Sequence, residues 1–225
     1  MPMKRTRPAT DYDVIDRWEG GVGWIAHPDE AMLRASHALA VDDEVWVVDP
    51  VDAPGVDDLF AEFGEVAGVV VLLNRHYRDA DELAQRHDVP VYVPAWFDRA
   101  PDLSAEVRRF DETLPGTDYR LLRVFDRFGW EEGALYDEDE GTLLVPESVG
   151  NAPYFTTDDE RLGVHPMMRL FPPSVLRGLR PDRVLVGHGP GALDDAARAL
   201  DDALGGARRR APTLFARNFR MLLPV

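Results

Sequence analysis

The stretch Val69 to Pro94, VVVLLNRHYRDADELAQRHDVPVYVP, decides the fold. Its apolar run Val69–Leu73 reads as a buried strand, and the polar cluster behind it as a loop. Asp81 to His87 carries a short helical pattern. Pro90, which disfavours helix in the residue before it, introduces a second strand at Val91–Pro94. Strand, charged loop, helix and strand make a βαβ unit, with the loop at the carboxyl end of a strand, where sites collect in α/β folds. Arg75, His76, Arg78 and Asp79 crowd that loop.

Upstream of this unit, strands are expected at Val22–Ala26, at His37–Val41 before an Asp42-Asp43 turn, and at Glu44–Asp49, where VWVVDP ends in an acid. Asp57–Phe63 has helical spacing, with Leu59, Phe60 and Phe63 on one side and Gly64 as its stop. Downstream, Leu121–Phe125, Gly133–Tyr136 and Thr142–Val145 read as strands. Pro172-Pro173 opens a helix, Ser174–Leu179, that Pro181 closes. Arg183–Val186 is a buried strand running into Gly187-His188-Gly189-Pro190-Gly191, a turn that presents His188. Asp194–Leu204 is an amphipathic helix, and the tail over 206–225 is basic and apolar. This order predicts two sheets with helices outside, in one domain whose core spans about 20–204.

Composition narrows the function classes. Asp and Glu outnumber Lys and Arg by 41 to 25, for a net charge of -16, and Lys4 is the only lysine. The acids are dispersed, which predicts a solvated acidic surface of the kind tolerated at high salt. A nucleic-acid partner, which needs a basic face, is not expected. No apolar run approaches a membrane span, and Met1–Thr10 lacks the apolar centre of a signal peptide, so a cytoplasmic protein is expected. With no cysteine, any metal must rest on histidines and carboxylates. The tail, with Arg208–Arg210, Arg217, Arg220, Leu214, Phe215, Phe219, Met221 and Leu222, is expected to pack on its own domain or on a second copy as a homo-oligomer contact.

Three landmarks, VVDP at Val47–Pro50, VLLNRHYRDA followed by VPVYVP, and VLVGHGPG around His188, resemble the metallo-β-lactamase-like hydrolase superfamily, which includes lactonases and glyoxalase II-type thioesterases. The resemblance covers roughly Gly20 to Leu204 and implies a four-layer αββα sandwich. The family's metal loop reads Thr-His-x-His-x-Asp-His and builds two zinc sites. Aligned without gaps, this chain sets Asn74 at the threonine, Arg75 and Tyr77 at the first two histidines, Asp79 at the aspartate and Ala80 at the third histidine. Trp130 in GWEEGA stands at a further histidine, Glu147 in LLVPES at the bridging aspartate, and His188 is kept. Shifting the loop by one residue instead sets Asn74 and His76 at the two histidines, and Arg78 and Asp79 at the aspartate and third histidine.

The resemblance therefore implies residual metal ligands at Asp79, Glu147 and His188, in a pocket with Asn74, Arg75, His76, Tyr77, Arg78 and Trp130. Two functions follow. In the first, the dinuclear site is lost, no cofactor is held, and Arg75 or Arg78 replaces the metal against the carboxylates, with a small anionic molecule as the ligand. In the second, one zinc or other divalent metal on Asp79, Glu147 and His188 serves an ester, thioester or lactone hydrolase. His165, before Pro166-Met167-Met168, is expected to be structural, and Trp130 to fill the metal cavity.

Overall fold

A computed structural model describes residues 2–98 and 102–222, with no side-chain description for 220–222. Among these residues, β1 (Asp13–Trp18), β2 (Gly21–Ile25), β3 (Ala35–Val41), β4 (Glu44–Val48), β5 (Glu65–Val70), β6 (Val91–Pro94) and β7 (Val107–Phe110) form one sheet in sequence order. Its first four strands run antiparallel, and β4 to β7 run parallel. A second sheet comprises β8 (Arg120–Arg127), β9 (Trp130–Asp137) and β10 (Thr142–Val145), with β13 (Arg183–Val186) parallel to β10. A short pair, β11 (Val149–Gly150) and β12 (Gly163–Val164), lies between them in sequence.

Three apolar clusters define four layers. Leu39, Trp46, Val70 and Leu72 of the first sheet meet Leu121, Leu135, Leu144 and Leu185 of the second. Alternate side chains of the first sheet, among them Val22, Val45, Val69 and Val91, bury against α1 (Val56–Phe60) and α2 (Ala80–His87). Val145, Val184 and Val186 do the same against α3 (Ala196–Leu222). The order is helix, sheet, sheet, helix, as the element order and the family resemblance implied. Strands buried on both faces read as unbroken apolar runs, and β4, β5 and β13 were legible for that reason.

Several boundaries move. The strand expected at Val69–Leu73 is β5 over Glu65–Val70, and Val71–Leu73 lead to the site as extended chain. The helix expected at Ser174–Leu179 is one 3-10 turn, Ser174–Leu176. The largest difference lies at the end of the chain. The expected helix Asp194–Leu204 begins at Ala196 and continues to Leu222, so the tail is helix as far as it is described. Gly205, Gly206 and Pro212 read as breakers, but packing overrides them. Arg210 lies over Gly206, where a side chain would collide with it, and reaches Asp159 and Asp202. Leu214 is buried, and Asn218 donates to the Tyr154 carbonyl at 2.9 Å. The tail thus packs on its own chain, leaving Phe215 and Phe219 exposed. Arg220, Met221 and Leu222 of the expected tail face lie outside the described side chains. No helix among the described residues is long and apolar enough to cross a membrane.

Candidate functional site

The site forms where the loops after β4, β5, β10 and β13 meet. Two stitches bring the layers together. Leu72 and Asn74 pair with β9, through Gly133 N to Leu72 O at 2.7 Å and Asn74 N to Glu131 O at 3.1 Å. The His188 turn pairs with residues 33–35, through Gly189 N to Leu33 O at 2.8 Å and Ala35 N to Gly187 O at 3.0 Å.

Asp49, directly after β4, organises the floor. Its Oδ1 accepts from Leu72 N at 3.0 Å and its Oδ2 faces His76 Nδ1 at 2.9 Å. Burial pushes its carboxyl up to about 7, against the pull of Arg78. His188 Nδ1 lies 2.9 Å from the Met32 carbonyl oxygen. A carbonyl only accepts, so this nitrogen carries the proton, and in the neutral ring Nε2 keeps its lone pair. Burial first holds His76 and His188 well below the ordinary histidine range, followed by Arg78 at His76, and by His76 and then Arg78 at His188. Both rings are neutral, with Nε2 turned to a common centre. There they meet Glu147, with one potential ligand atom of each residue within 4.8 Å of the others.

The guanidiniums complete the centre. Arg78 donates from Nη1 to the carbonyls of Ala35 and Asp49, each at 2.7 Å, and its Nη2 lies 3.3 Å from Gly187 O and from His76 Nε2. Burial lowers it to about 10, which leaves it charged at neutral pH. Arg75 donates to Glu147 Oε2 at 2.7 Å, and its guanidinium lies 4.2 Å from the centre of the Trp130 ring. Lys4, Met32, Arg34, Arg75, His76, Arg78, Glu147 and His188 line a cavity of about 140 Å³. Arg34 is neutralised by Glu30 through bonds of 2.7 and 2.9 Å.

The structure therefore divides the expected site residues. Glu147 and His188 come together as expected, but their third partner is His76 rather than Asp79. Arg78 sits in the left-handed region at φ 41°, and the chain turns there so that Asp79 opens α2 and accepts from Asp52 N at 2.8 Å. Of the four positions that the one-residue shift sets at ligands, His76 and Arg78 face inward, whereas Asn74 and Asp79 do not. Asn74 donates to Gly129 O and Glu131 Oε2 instead of facing the cavity. Tyr77 packs with the apolar cluster under α1 and α2, and burial raises its phenol to about 12. Trp130 is buried beside the cavity, as expected of a space-filling residue.

Sequence reading missed Glu132, Lys4 and Arg34. Glu132 is fully buried in β9. Its Oε1 accepts from Glu147 N and Ser148 N, and its Oε2 from Trp130 Nε1 and Ser148 Oγ, all within 2.9 Å. It fixes the backbone that carries Glu147. Nothing in GWEEGA distinguishes it from Glu131, whereas the sole lysine was a visible signal for Lys4.

Glu147, His76 and His188 could hold one divalent ion. Asp49 and the Met32 carbonyl orient the two imidazoles as outer partners of metal-bound histidines do. However, His76 Nε2 faces Arg78, and Glu147 Oε2 accepts from Arg75. An ion would have to displace Arg78 from His76 Nε2 and then sit between two guanidiniums, one of which already holds a Glu147 oxygen. The donor set fits a metal poorly.

His165 shows what burial does here. Its ring packs against Trp130, Tyr154 and Phe155, and burial, then Arg75, holds it down to about 3. The unfolded chain takes up a proton below the ordinary histidine value while the folded chain does not, so stability falls as pH falls. Between about pH 7.5 and about pH 5 this group should cost the fold about 2 kcal/mol. Urea denaturation of His165→Gln should show a pH-dependent loss smaller by that amount. An unchanged slope would show that His165 titrates in the folded protein.

No protein-family model matches the sequence, and neither does any curated protein. Solved structures do. The DIM-1 metallo-β-lactamase exposed to ceftazidime superposes with a TM-score of 0.60 at 10% identity, covering 89% of this chain and 100% of that one. The mono-zinc form of the metallo-β-lactamase FIM-1 from Pseudomonas aeruginosa gives 0.56 at 10% identity, over 91% and 98% of the two chains. The apo chemotaxis sensor ODP from T. denticola gives 0.56 at 14% identity, over 87% and 94%. A likeness this broad, at identities this low, concerns the backbone, and the chain has the metallo-β-lactamase fold.

Proposed function

We propose that this is a metallo-β-lactamase-fold protein that binds a small anion with its own guanidiniums and amine, in place of a metal centre. The observation that carries the reading is the charge of the cavity. In a chain of net charge -16, Lys4, Arg34, Arg75 and Arg78 converge on about 140 Å³, facing one lining carboxylate, Glu147. Arg34 is matched by Glu30, and Arg78 lies against the buried Asp49; Lys4 and Arg75 share Glu147 alone, which leaves positive charge to balance an incoming anion. Burial and the nearby guanidiniums lower the Lys4 amine, so a bound anion would relieve repulsion already present.

Calorimetric titration with small oxyanions tests this. Arg75→Ala and Lys4→Ala should each weaken binding by about tenfold, with an unchanged circular-dichroism spectrum. Parent and variants binding no anion, or binding alike, would refute the reading.

A second reading has one specific observation in its favour, the buried His188 Nε2 without a hydrogen-bond partner. One divalent ion on His76, Glu147 and His188 would supply Lewis acidity for hydrolysis of an ester, thioester or lactone. Stoichiometric metal in protein purified without chelator, together with turnover of a chromogenic ester, would favour this reading over the first.

A further inference from the structure

The cavity wall holds donors and an acceptor. Lys4 and Arg75 bring donors. His188, in the same lining, brings Nε2, a lone pair that is buried and has no hydrogen-bond partner. It is an acceptor because Nδ1 has committed the ring's proton to Met32 O at 2.9 Å. Glu147 Oε1, the oxygen that Arg75 leaves alone, lies 4.0 Å from it, too far for the two to satisfy each other. His165 Nε2, the remaining polar atom nearby, is 3.9 Å from the same oxygen. A fully deprotonated anion would place its own lone pairs against His188 Nε2 and Glu147 Oε1. A buried acceptor left unmatched weakens binding as much as a matched one strengthens it.

We infer that the ligand is a small tetrahedral oxyanion that keeps a hydroxyl proton, of the hydrogenphosphate class, with its charge on Lys4 and Arg75 and its hydroxyl donating to His188 Nε2. The inference rests on the anion-binding reading and specifies its ligand. A neighbouring groove of about 920 Å³ shares Lys4, Arg34 and Arg78 with the cavity. A phosphate monoester dianion has no hydroxyl on phosphorus, so the free ion is the source that meets His188 Nε2 with a donor.

Phosphate and sulfate separate the donor from everything else. On the alkaline side of neutral, above its second pKa, phosphate is mostly a dianion of the same shape as sulfate, and it alone carries a proton to give. Calorimetry on the whole chain with chelator present should show phosphate binding about tenfold or more tightly than sulfate. His188→Phe should abolish the preference, weakening phosphate and relieving sulfate of the opposed lone pair, so that the two ions bind alike. Glycerol phosphate, whose dianion has no hydroxyl on phosphorus, should bind more weakly than phosphate; binding as tight or tighter overturns the hydroxyl inference. Equal binding of sulfate and phosphate by the parent protein overturns the hydroxyl inference and leaves the anion reading standing. Binding of neither ion, or phosphate binding that chelator abolishes, overturns both. The parent comparison needs no variant, so a misfolded His188→Phe does not blunt the test.

Discussion

Arg78→Ala is expected to destabilise the fold by about 3 kcal/mol and to make the cavity receptive to zinc. The guanidinium supports carbonyls from three separate segments, Ala35, Asp49 and Gly187, and caps the His76 Nε2 lone pair. Without it, these acceptors and the Asp49 carboxylate lose their shared cation in a water-poor pocket. The same loss frees the third ligand of the His76, Glu147 and His188 group. Urea denaturation should show the destabilisation. Added zinc should then raise the melting temperature of the variant more than that of the parent, because an ion bound to the native state stabilises it by mass action. A variant as stable as the parent, or one that gains nothing from zinc, would show that Arg78 does not stand in for a metal.

Glu132→Gln should cost about 3 kcal/mol or more, although it exchanges only an oxygen for an amide nitrogen. Both carboxylate oxygens of Glu132 accept two bonds each, from Glu147 N, Ser148 N, Trp130 Nε1 and Ser148 Oγ. A glutamine must turn its NH₂ toward one of these donor pairs, setting donor against donor where no water can relieve the clash. Burial pushes the Glu132 carboxyl up to about 7, and the Ser148 and Glu147 donors pull against that shift. Anion affinity should fall along with stability, because the backbone carrying Glu147 is released. Denaturation and calorimetry on one preparation check both effects, and a variant matching the parent in stability would remove Glu132 from this role.

The layers were legible because burial writes itself into composition. VWVVDP, VVVLLN and RVLVGH could only be interior strands, and β4, β5 and β13 lie there. The edge strands β1 and β7 escaped, because an edge exposes most of its side chains and DVIDRW carries no alternation strong enough to read. At the site, residue types were legible but directions were not. Whether His76 or Asp79 faces the cavity turns on one left-handed residue, Arg78, and an arginine gives no sequence signal for a positive φ of the kind glycine gives. Glu147 and His188 were singled out through the family resemblance, in which each follows a buried strand. Glu132 was missed because its importance lies in four donors drawn from residues 130, 147 and 148, which converge only once β9 and β10 pair.

The placement of Lys4 has a chemical consequence of its own. Every other basic side chain apart from the histidines is a guanidinium, which common acylating reagents leave untouched, so the molecule presents them with a single ε-amine. That amine borders the cavity, held there as Ala31 N and Met32 N donate to the carbonyls of Pro2 and Met3. Its lowered pKa raises the share of free base at neutral pH and makes it the more reactive nucleophile. The chain thus carries a built-in reporter: side-chain acylation goes to one position, and whatever fills the pocket shields it.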